Sequence, residues 1–156
     1  MVVGSVASLW DIDMFAGSNR LTIDDKGRLA IPARQRVQLG DEYGKQIAVT
    51  VGPECIEIYP AAVFRRIAEA IPKIPERAKR MLMLRLFVGH AVESEIDGQG
   101  RILVPSMLRE LKTLGTDVVL IGQIDHFELW PEVQWAASTA DLQTSYADAF
   151  AALAVS

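Results

Sequence analysis

Two short segments of the sequence place an aspartate four residues before an arginine. Asp24 precedes Arg28 in the first segment, and Asp97 precedes Arg101 in the second. A glycine, the residue that tight turns with positive φ favour, stands directly before each arginine, and an aspartate can accept hydrogen bonds from the amides that follow it. An arginine at such a turn presents several donors to a carboxylate, a phosphate or the edge of a guanine. The spacing therefore predicts two tight turns, each with an arginine able to bind an anion or a base.

The two turns belong to a longer internal repeat. Residues 23–32 match residues 96–105, which lie 73 positions later, and residues 56–60 match residues 127–131 at an offset of 71. The first pair of segments shares the pattern apolar-Asp-x-x-Gly-Arg-apolar-x-apolar-Pro. Self-similarity at a fixed spacing is typical of a duplicated structural unit. We interpret the chain as a tandem duplication.

Each copy is predicted to contain a β-hairpin, a short helix, a second hairpin and another helix. Pro32 and Pro105 end the strands after the turns, because proline cannot donate to a sheet but fits the first turn of a helix. Helices are therefore expected at roughly 33–39 and 106–113. A copy of about 70 residues is marginal for a core of its own. We expect the two copies to pack into one pseudo-symmetric α+β unit.

The sequence divides into five predicted parts. They are an N-terminal extension without stable structure at 1–13, a first repeat at 14–71, a connecting helix at 72–89, a second repeat at 90–137 and a C-terminal helix at 138–156. In the last part large apolar residues recur at helical spacing, with Asp141 as the predicted N-cap. These residues, which we call the C-terminal stripe, are Leu142, Tyr146, Phe150 and Leu153. The stripe is expected to pack on its own subunit or on the next one.

Charge is unevenly distributed along the chain. The net charge of −4 argues at first sight against a nucleic-acid partner. Residues 14–40, however, carry five basic and two acidic side chains, whereas residues 90–156 carry three basic and ten acidic ones. Binding depends on the potential within a Debye length of about 8–10 Å rather than on the total charge. An oligomer that gathers the first copies on one face would therefore present a positive surface.

Several classes of protein are disfavoured by the composition. Cys55 is the single cysteine, and its place beside a strand predicts a buried thiol rather than a nucleophile. His90 and His126 lack any ligand-like spacing, so we expect neither a metal site nor a cofactor. No apolar run reaches the roughly 18 residues of a membrane span, and residues 1–13 lack the basic region of a secretory signal. The cytoplasm is the expected compartment.

A series of motifs in order resembles the MraZ family of bacterial transcriptional regulators. The resemblance covers almost the whole chain from Met14 onward, and residues 1–13 form an extension relative to the family. The motifs are Met14-Phe15-x-Gly17, Asp24-x-x-x-Arg28, Gly89-His90-Ala91-x-Glu93, Asp97-x-x-x-Arg101, Gly122-Gln123 and Phe127-Glu128-Leu129-Trp130.

The resemblance implies a fold and a function. The fold would consist of two tandem SpoVT/AbrB-like swapped-hairpin β-barrel modules with short flanking helices. The function would be that of a sequence-specific regulator, a repressor, of a cell-division and cell-wall gene cluster. Such a protein would bind double-stranded DNA at tandem G-rich direct repeats, as a ring-shaped homo-oligomer of eight or twelve subunits, in the cytoplasm at the nucleoid.

The resemblance also implies which residues face DNA. The segment from Asp24 to Arg28 would be the DNA-facing part, with Asp24 shaping the turn and with Lys26 and Arg28 as the main contacts. Gln99 stands at the position of Lys26 in the second copy, so Arg101 alone keeps a charge there. The complete set of predicted DNA-binding residues is Arg20, Asp24, Asp25, Lys26, Gly27, Arg28, Arg34 and Arg101.

Structural roles are the alternative for several of these arginines. Arg28 and Arg101 occupy equivalent positions, so either could bind turn carbonyls or its own aspartate. Arg36 and Arg109 each follow the repeat's proline by four residues and are expected to bind hairpin backbone or to face a neighbouring element. Met107 stands at the position of Arg34 in the second copy, so the shared fold does not require an arginine at this position.

Two other functions stay open at this point. Asp24 and Asp97 could form a carboxylate pair that shares a proton, as in a hydrolase, although an arginine follows each one and favours the charged form. An AbrB-like antitoxin or assembly module would share the fold. Such antitoxins usually have one copy and a disordered tail, whereas this chain has two copies.

Overall fold

A computed structural model describes residues 14–42, 44–140 and 142–153 as an α+β protein. Eight strands and several helices alternate along the chain. The first copy contains β1 (Ser18–Thr22), β2 (Arg28–Ala30), α1 (Ala33–Glu42), β3 (Gln46–Val51), β4 (Ile56–Pro60) and α2 (Ala61–Ala70). A 3-10 turn (Ile71–Lys73) leads to α3 (Arg77–Leu82), which continues as a π-helix (Met83–Val88). The second copy contains β5 (Val92–Glu95), β6 (Arg101–Leu103), α4 (Ser106–Leu111), β7 (Asp117–Gly122), β8 (Phe127–Pro131) and α5 (Glu132–Ala140), followed by α6 (Gln143–Ala151).

The two copies are interleaved in one six-stranded antiparallel sheet. Its strand order is β1-β7-β8-β4-β3-β5. The first strand of each copy therefore pairs with the third strand of the other copy: Arg20 lies opposite Val119 in one pair, and Glu93 lies opposite Ala48 in the other. The strands that flank each Asp-x-x-Gly turn meet each other at little more than one bridge, between Ile23 and Leu29 in the first copy. The two strands of each expected hairpin therefore pair with strands of the other copy rather than with each other.

A second, two-stranded sheet joins β2 to β6, and we call it the ribbon. Leu29 lies opposite Ile102 in the ribbon, and Glu57 lies opposite Glu128 where β4 meets β8. Both pairs consist of residues that are equivalent in the repeat. The pseudo-two-fold axis of the molecule therefore passes through the centre of the ribbon and the centre of the large sheet.

One apolar core is shared by both copies. It forms a single cluster to which equivalent residues contribute in pairs, such as Ile31 with Val104 and Ile47 with Val118. Leu39 of α1 and Leu108 of α4 complete it from the two helices that follow the ribbon strands. Burial of apolar area is the main stabilising contribution to folding. The expectation of one unit rather than two separate domains is confirmed by this shared core.

The helices after β4 and β8 form two smaller clusters. Tyr59, Val63, Ile71 and Phe87 pack together where α2 and the π-helix meet the sheet. The Thr50 hydroxyl donates to the carbonyl of Phe87 at 2.6 Å, which ties the end of the π-helix to β3. Cys55 is buried, as expected, in the third cluster, beside Trp130 and below α5.

The ends of the chain differ from the sequence-based expectation. The part predicted as one helix at 138–156 contains the end of α5, at Ala140, and the whole of α6, which begins at Gln143, two residues after the predicted N-cap. The side chains of residues 142–153, which include the C-terminal stripe, are all exposed. The predicted extension at 1–13 and the predicted N-cap Asp141 lie outside the described residues. Within those residues no helix is both long and apolar enough to cross a membrane.

Candidate nucleic-acid interface

The first turn is held by the carboxylate of Asp24. Its Oδ1 atom accepts hydrogen bonds from the backbone amides of Lys26 at 2.9 Å and Arg28 at 2.8 Å. Its Oδ2 atom accepts from Nε of Arg28 at 2.8 Å. The amide of Gly27 donates to the carbonyl of Asp24, and the φ of Gly27 is +83°. The carboxylate thus fixes both the turn and the side chain of Arg28.

The second turn repeats this arrangement. Asp97 Oδ1 accepts from the amides of Gln99 at 2.8 Å and Arg101 at 2.9 Å, and its Oδ2 accepts from Nε of Arg101 at 3.0 Å. The prediction that each aspartate binds the amides that follow it is confirmed in both copies. Because the arginine engages its aspartate through Nε, neither Nη atom of Arg28 or Arg101 is used in that bond.

Both carboxylates are stabilised in their charged form. The backbone amide of Arg28 is the largest cause that lowers the pKa of Asp24 from its usual value, and the guanidinium of Arg28 adds to it. The amide of Arg101 likewise lowers the pKa of Asp97, with further hydrogen bonds from Gln99 and the guanidinium. Hydrogen bonds donated to a carboxylate favour its ionised form. Each turn is therefore an ion pair at neutral pH.

The ribbon places the two arginines on one face. Arg28 lies opposite Leu103, and Arg101 lies opposite Ala30, so these four side chains share a face of the pleated ribbon. Leu29 and the residue opposite it point to the other face and are buried. Diagonal neighbours in an antiparallel pair lie about 7–8 Å apart. Two arginines and the half-exposed Leu103 thus form the outer surface of a narrow two-stranded element.

Each copy also holds the turn of the other copy. Nη1 of Arg36 donates to the carbonyl of Gln99 at 3.1 Å, and the side chain lies against Gly100. Nε of Arg109 donates to the carbonyl of Val104 at 3.0 Å, and its guanidinium lies against Gly27. The prediction that these two arginines bind hairpin backbone is confirmed. They support the turn across the pseudo-two-fold axis.

The remaining predicted residues lie at different distances from this face. Asp25 and Lys26 are exposed at the tip of the first turn. Arg34 is the second residue of α1 and lines a surface depression with Ser18 and Asn19. Arg20 lies on β1 in the large sheet, where its Nη1 atom is 3.5 Å from Oε1 of Glu132. The structure therefore brings the turn and Arg101 together, whereas Arg20 belongs to another surface.

The sequence over residues 14–85 and 87–155 matches a family model described as "MraZ protein, putative antitoxin-like". The chain belongs to the MraZ family. Proteins named "Transcriptional regulator MraZ" are similar to it in Methylococcus capsulatus, at 44% identity over 78% of this chain and 82% of the relative, and in Legionella pneumophila strain Corby, at 43% over 78% and 82%. The MraZ relative from Pseudomonas putida strain F1 is 41% identical over 83% and 88%.

A solved structure is also similar, at a low level. The solution structure of PHS018 from Pyrococcus horikoshii covers 75% of this chain and 97% of its own, with 17% identity and a TM-score of 0.35. A likeness of this size does not establish a shared fold for this MraZ protein. The membership of the family rests on the sequence matches alone.

The two aspartates of this MraZ chain do not form a carboxylate pair. The strands of the ribbon are antiparallel, so the turn with Asp24 and the turn with Asp97 lie at opposite ends. Each carboxylate is bound to its own arginine and has a lowered pKa. A proton shared between two carboxylates requires that they lie close together and that one pKa is raised. The arrangement gives no support to the hydrolase reading.

A different cluster of titratable side chains surrounds the pseudo-two-fold axis in the large sheet. The Tyr59 hydroxyl donates to Oε1 of Glu57 at 2.9 Å, and the ring of His126 stacks on Tyr59 at 4.6 Å. Burial is the main cause that raises the pKa of Glu57, and the facing Glu128 adds to it. This cluster lies on the large sheet rather than on the ribbon; Tyr59 is buried there, and Glu57, His126 and Glu128 are half-buried.

Sequence reasoning missed two features of the ribbon face. The sequence did not predict that Arg36 and Arg109 each contact the turn of the other copy, although both stand four residues after a proline of the repeat. The apolar residue beside Arg28 was also missed: Leu103 follows Arg28 by 75 positions, and only the strand register brings them together.

Proposed function

We propose that this MraZ protein is a DNA-binding transcriptional regulator that reads base pairs with the ribbon face. The relatives named as transcriptional regulators support the class of function. The proposal extends to its details: a swapped-hairpin tandem of AbrB-like modules, with repeats at 14–71 and 90–137 joined by the segment 72–89. It further includes a ring-shaped homo-oligomer that represses a cell-division and cell-wall gene cluster from G-rich direct repeats.

The observation that carries the proposal is the pair of arginines on one face of the ribbon. The major groove of B-form DNA admits a two-stranded β-ribbon, and arginine binds O6 and N7 of guanine with two donors. Arg28 is oriented in advance by the bond from its Nε to Asp24, so little side-chain freedom is lost on binding. Its Nη atoms supply donors that this bond leaves available.

Affinity requires more contacts than one ribbon offers. A bidentate arginine contributes about 1–3 kcal/mol of discrimination between bases. Lys26 at the exposed tip supplies a phosphate contact next to Arg28, whereas each Asp–Arg pair is neutral as a whole. An oligomer that presents one ribbon to each DNA repeat multiplies these small contributions. Successive subunits related by rotation match direct repeats, because each ribbon then meets the same sequence.

The test is a binding titration with the complete chain. Fluorescence anisotropy is measured for wild type, Arg28→Ala and Arg101→Ala on a duplex with tandem G-rich repeats and on a scrambled duplex. We expect Arg28→Ala to lose roughly 5–150-fold in affinity for the repeats for each ribbon bound, which corresponds to the 1–3 kcal/mol of one base contact. Arg101→Ala is expected to lose less, because no cation stands beside it at the Gln99 position.

A matched control is Arg77→Ala, an arginine at the start of α3, well outside the ribbon. It should bind both duplexes as wild type does. Circular dichroism checks that each variant is folded. If Arg28→Ala keeps the wild-type preference for the repeats, the ribbon does not read the bases and the proposal fails.

A second candidate is a role as an antitoxin, which the description of the matching family as antitoxin-like favours. An antitoxin binds a small toxin protein with a defined stoichiometry. Expression of the tagged chain in a host that carries its neighbouring genes would then yield a small protein in equal amount. Recovery of the chain alone, together with specific DNA binding, supports the regulator.

A further inference from the structure

The outer face of the ribbon carries different apolar side chains beside its two arginines. Leu103 lies opposite Arg28 in the strand register, and Ala30 lies opposite Arg101. Ala30 and Leu103 occupy equivalent positions in the repeat. Leu103 is 49% exposed, so a branched apolar side chain stands beside Arg28, whereas the side chain beside Arg101 is a single methyl group. The two ends of the ribbon therefore offer different surfaces to a ligand.

Leu103 is not required by the core. The residues on either side of it, Ile102 and Val104, are 1% and 0% exposed and belong to the shared core cluster. Leu103 belongs to none of the three apolar clusters that the described residues form. Alanine fills the equivalent position in the first copy, so the fold does not need a leucine here. Single exposed leucines are common on protein surfaces, and it is the place of this one beside Arg28 that is informative.

The spacing of side chains across the ribbon is close to the spacing of base pairs. Residues directly opposite each other in an antiparallel pair have Cβ atoms about 4.5–5.5 Å apart. Successive base pairs lie about 3.4 Å apart along the axis of DNA. With Arg28 bound to a guanine in the major groove, Leu103 would therefore lie over a base pair one or two steps away.

Thymine is the base whose edge suits such a side chain. Its C5 methyl group is the apolar group that a base presents in the major groove, where the other base edges present hydrogen-bond donors and acceptors. A leucine that covers a donor or an acceptor removes it from water without giving it a partner, which is unfavourable. Contact between the leucine and a methyl group instead removes apolar surface from water, which is favourable.

We propose that Leu103 is a specificity-determining residue that packs on the C5 methyl group of a thymine near the guanine bound by Arg28. The inference rests on the proposed function, because that function places the ribbon in the major groove. Arg101 has only Ala30 beside it, so the second end of the ribbon has a weaker preference for thymine. The ribbon thus distinguishes the two directions of the DNA. A two-fold symmetric protein matches a palindrome, whereas a directional ribbon matches direct repeats.

The test removes the methyl group of thymine and nothing else. Deoxyuridine pairs with adenine as thymine does but carries a hydrogen at C5. Fluorescence anisotropy is measured for the complete wild-type chain on duplexes with tandem G-rich repeats, in which thymine stands at the two positions on either side of the guanines, on either strand. Each of these thymines is replaced by deoxyuridine in one repeat at a time. We expect about fourfold weaker binding at one of these positions, the effect of one apolar carbon that is no longer buried.

Leu103→Ala tests whether the leucine makes this contact. The variant places in the second copy the residue that the first copy carries at this position, so the fold should be kept, and circular dichroism and light scattering check it. We expect it to bind the thymine and deoxyuridine duplexes equally while it still prefers the G-rich repeats to a scrambled duplex. The matched control is Leu111→Ala, a half-exposed leucine at the end of α4 and outside the ribbon. It should keep the fourfold ratio.

The other outcomes separate this inference from the proposed function. A wild type that prefers the repeats but binds thymine and deoxyuridine equally at every position overturns the inference and leaves the proposed function standing. A Leu103→Ala variant that keeps the fourfold ratio assigns the methyl contact to another side chain and also overturns it. A changed light-scattering mass for Leu103→Ala assigns the leucine to a contact between subunits, with the same consequence. A wild type without any preference for the repeats overturns the proposed function and the inference together.

Discussion

The first and second turns share a skeleton and differ in the side chains placed on it. In both, an aspartate binds two amides and the Nε of an arginine, and a glycine with positive φ closes the turn. The tip differs, because the first turn presents Asp25 and Lys26 where the second presents Gly98 and Gln99. The fold requires what both copies keep. The shared arginine holds the turn through Nε and keeps its Nη atoms for the DNA contact proposed above. Side chains found in one copy only, such as that of Lys26, have no part in holding the turn and are further candidates for contacts with DNA.

The same comparison holds one helix later. Arg34 of α1 corresponds to Met107 of α4, which is half exposed. Leu103 on the ribbon and Leu111 at the end of α4 are half exposed as well. The first copy carries Ala30, Arg34 and Gln38 at these three positions, so its surface is less apolar there. The two copies therefore differ in surface chemistry although they share one local fold.

The largest difference between the copies is expected when a methyl group is added to the turn glycines. A Cβ on Gly27 would lie 2.9 Å from the carbonyl oxygen of Val104, which is backbone and cannot move away, and φ is +83°. A Cβ on Gly100 would meet the side chain of Arg36, which is flexible. Gly27→Ala should lower the free energy of unfolding by about 1–3 kcal/mol, and Gly100→Ala by less. Chemical denaturation measures both, and an equal loss would contradict the distinction.

Exchanging the tip residues tests which end of the ribbon meets phosphate. Lys26→Gln should reduce the slope of log affinity against log salt by about 0.9 for each subunit bound, the value for one neutralised phosphate. Gln99→Lys should leave the slope unchanged, since the second tip lies at the opposite end of the ribbon. Anisotropy titrations over a salt series give both values. A steeper slope for Gln99→Lys would show that both ends contact DNA.

The aspartates should behave alike in a stability test against pH. The pKa of Asp24 and that of Asp97 are lowered by folding, so each contributes stability above its unfolded pKa of about 3.9, and the contribution disappears as the pH falls through the folded value. Asp24→Asn and Asp97→Asn should therefore lower Tm at pH 7 and approach wild type near pH 2. Thermal scans from pH 2 to 7 test this. A loss that persists unchanged at low pH would assign the effect to something other than the charge.

A smaller effect of opposite sign is expected at Glu57. Burial raises the pKa of Glu57 in the folded state, so its charge is unfavourable as the pH rises above its unfolded pKa of about 4.3. Glu57→Gln should raise Tm at pH 7, because the glutamine is uncharged and its amide oxygen can still accept a hydrogen bond from Tyr59. The gain over wild type should disappear near pH 4, where the carboxyl group becomes neutral by protonation. Glu128→Gln removes the facing carboxylate and should lower the pKa of Glu57. A Glu57→Gln variant less stable at pH 7 would contradict the assignment.

The turns could be predicted from the sequence, but the pairing of the strands could not. The order aspartate, glycine, arginine encodes a local hydrogen-bond pattern, and it formed as expected in both copies. The partner of β1 is not encoded locally, since β7 and β3 have nearly the same apolar pattern. Only tertiary packing selects between them, and it places Arg28 and Arg101 on one face.

Because strands of the two copies pair with each other, the fold can form only late in the synthesis of the chain. Ser18 pairs with Ile121, so the first strand finds its place only after most of the chain has been synthesised. Contacts between residues so distant in sequence form slowly and late, and ribosomes add only about 5–20 residues per second. Asp24 and Arg28 emerge early, yet the ribbon that presents them needs β6, and the sheet behind it needs β7. If the ribbon binds DNA as proposed, a nascent or truncated chain would lack the binding element, and only completed molecules would act on DNA.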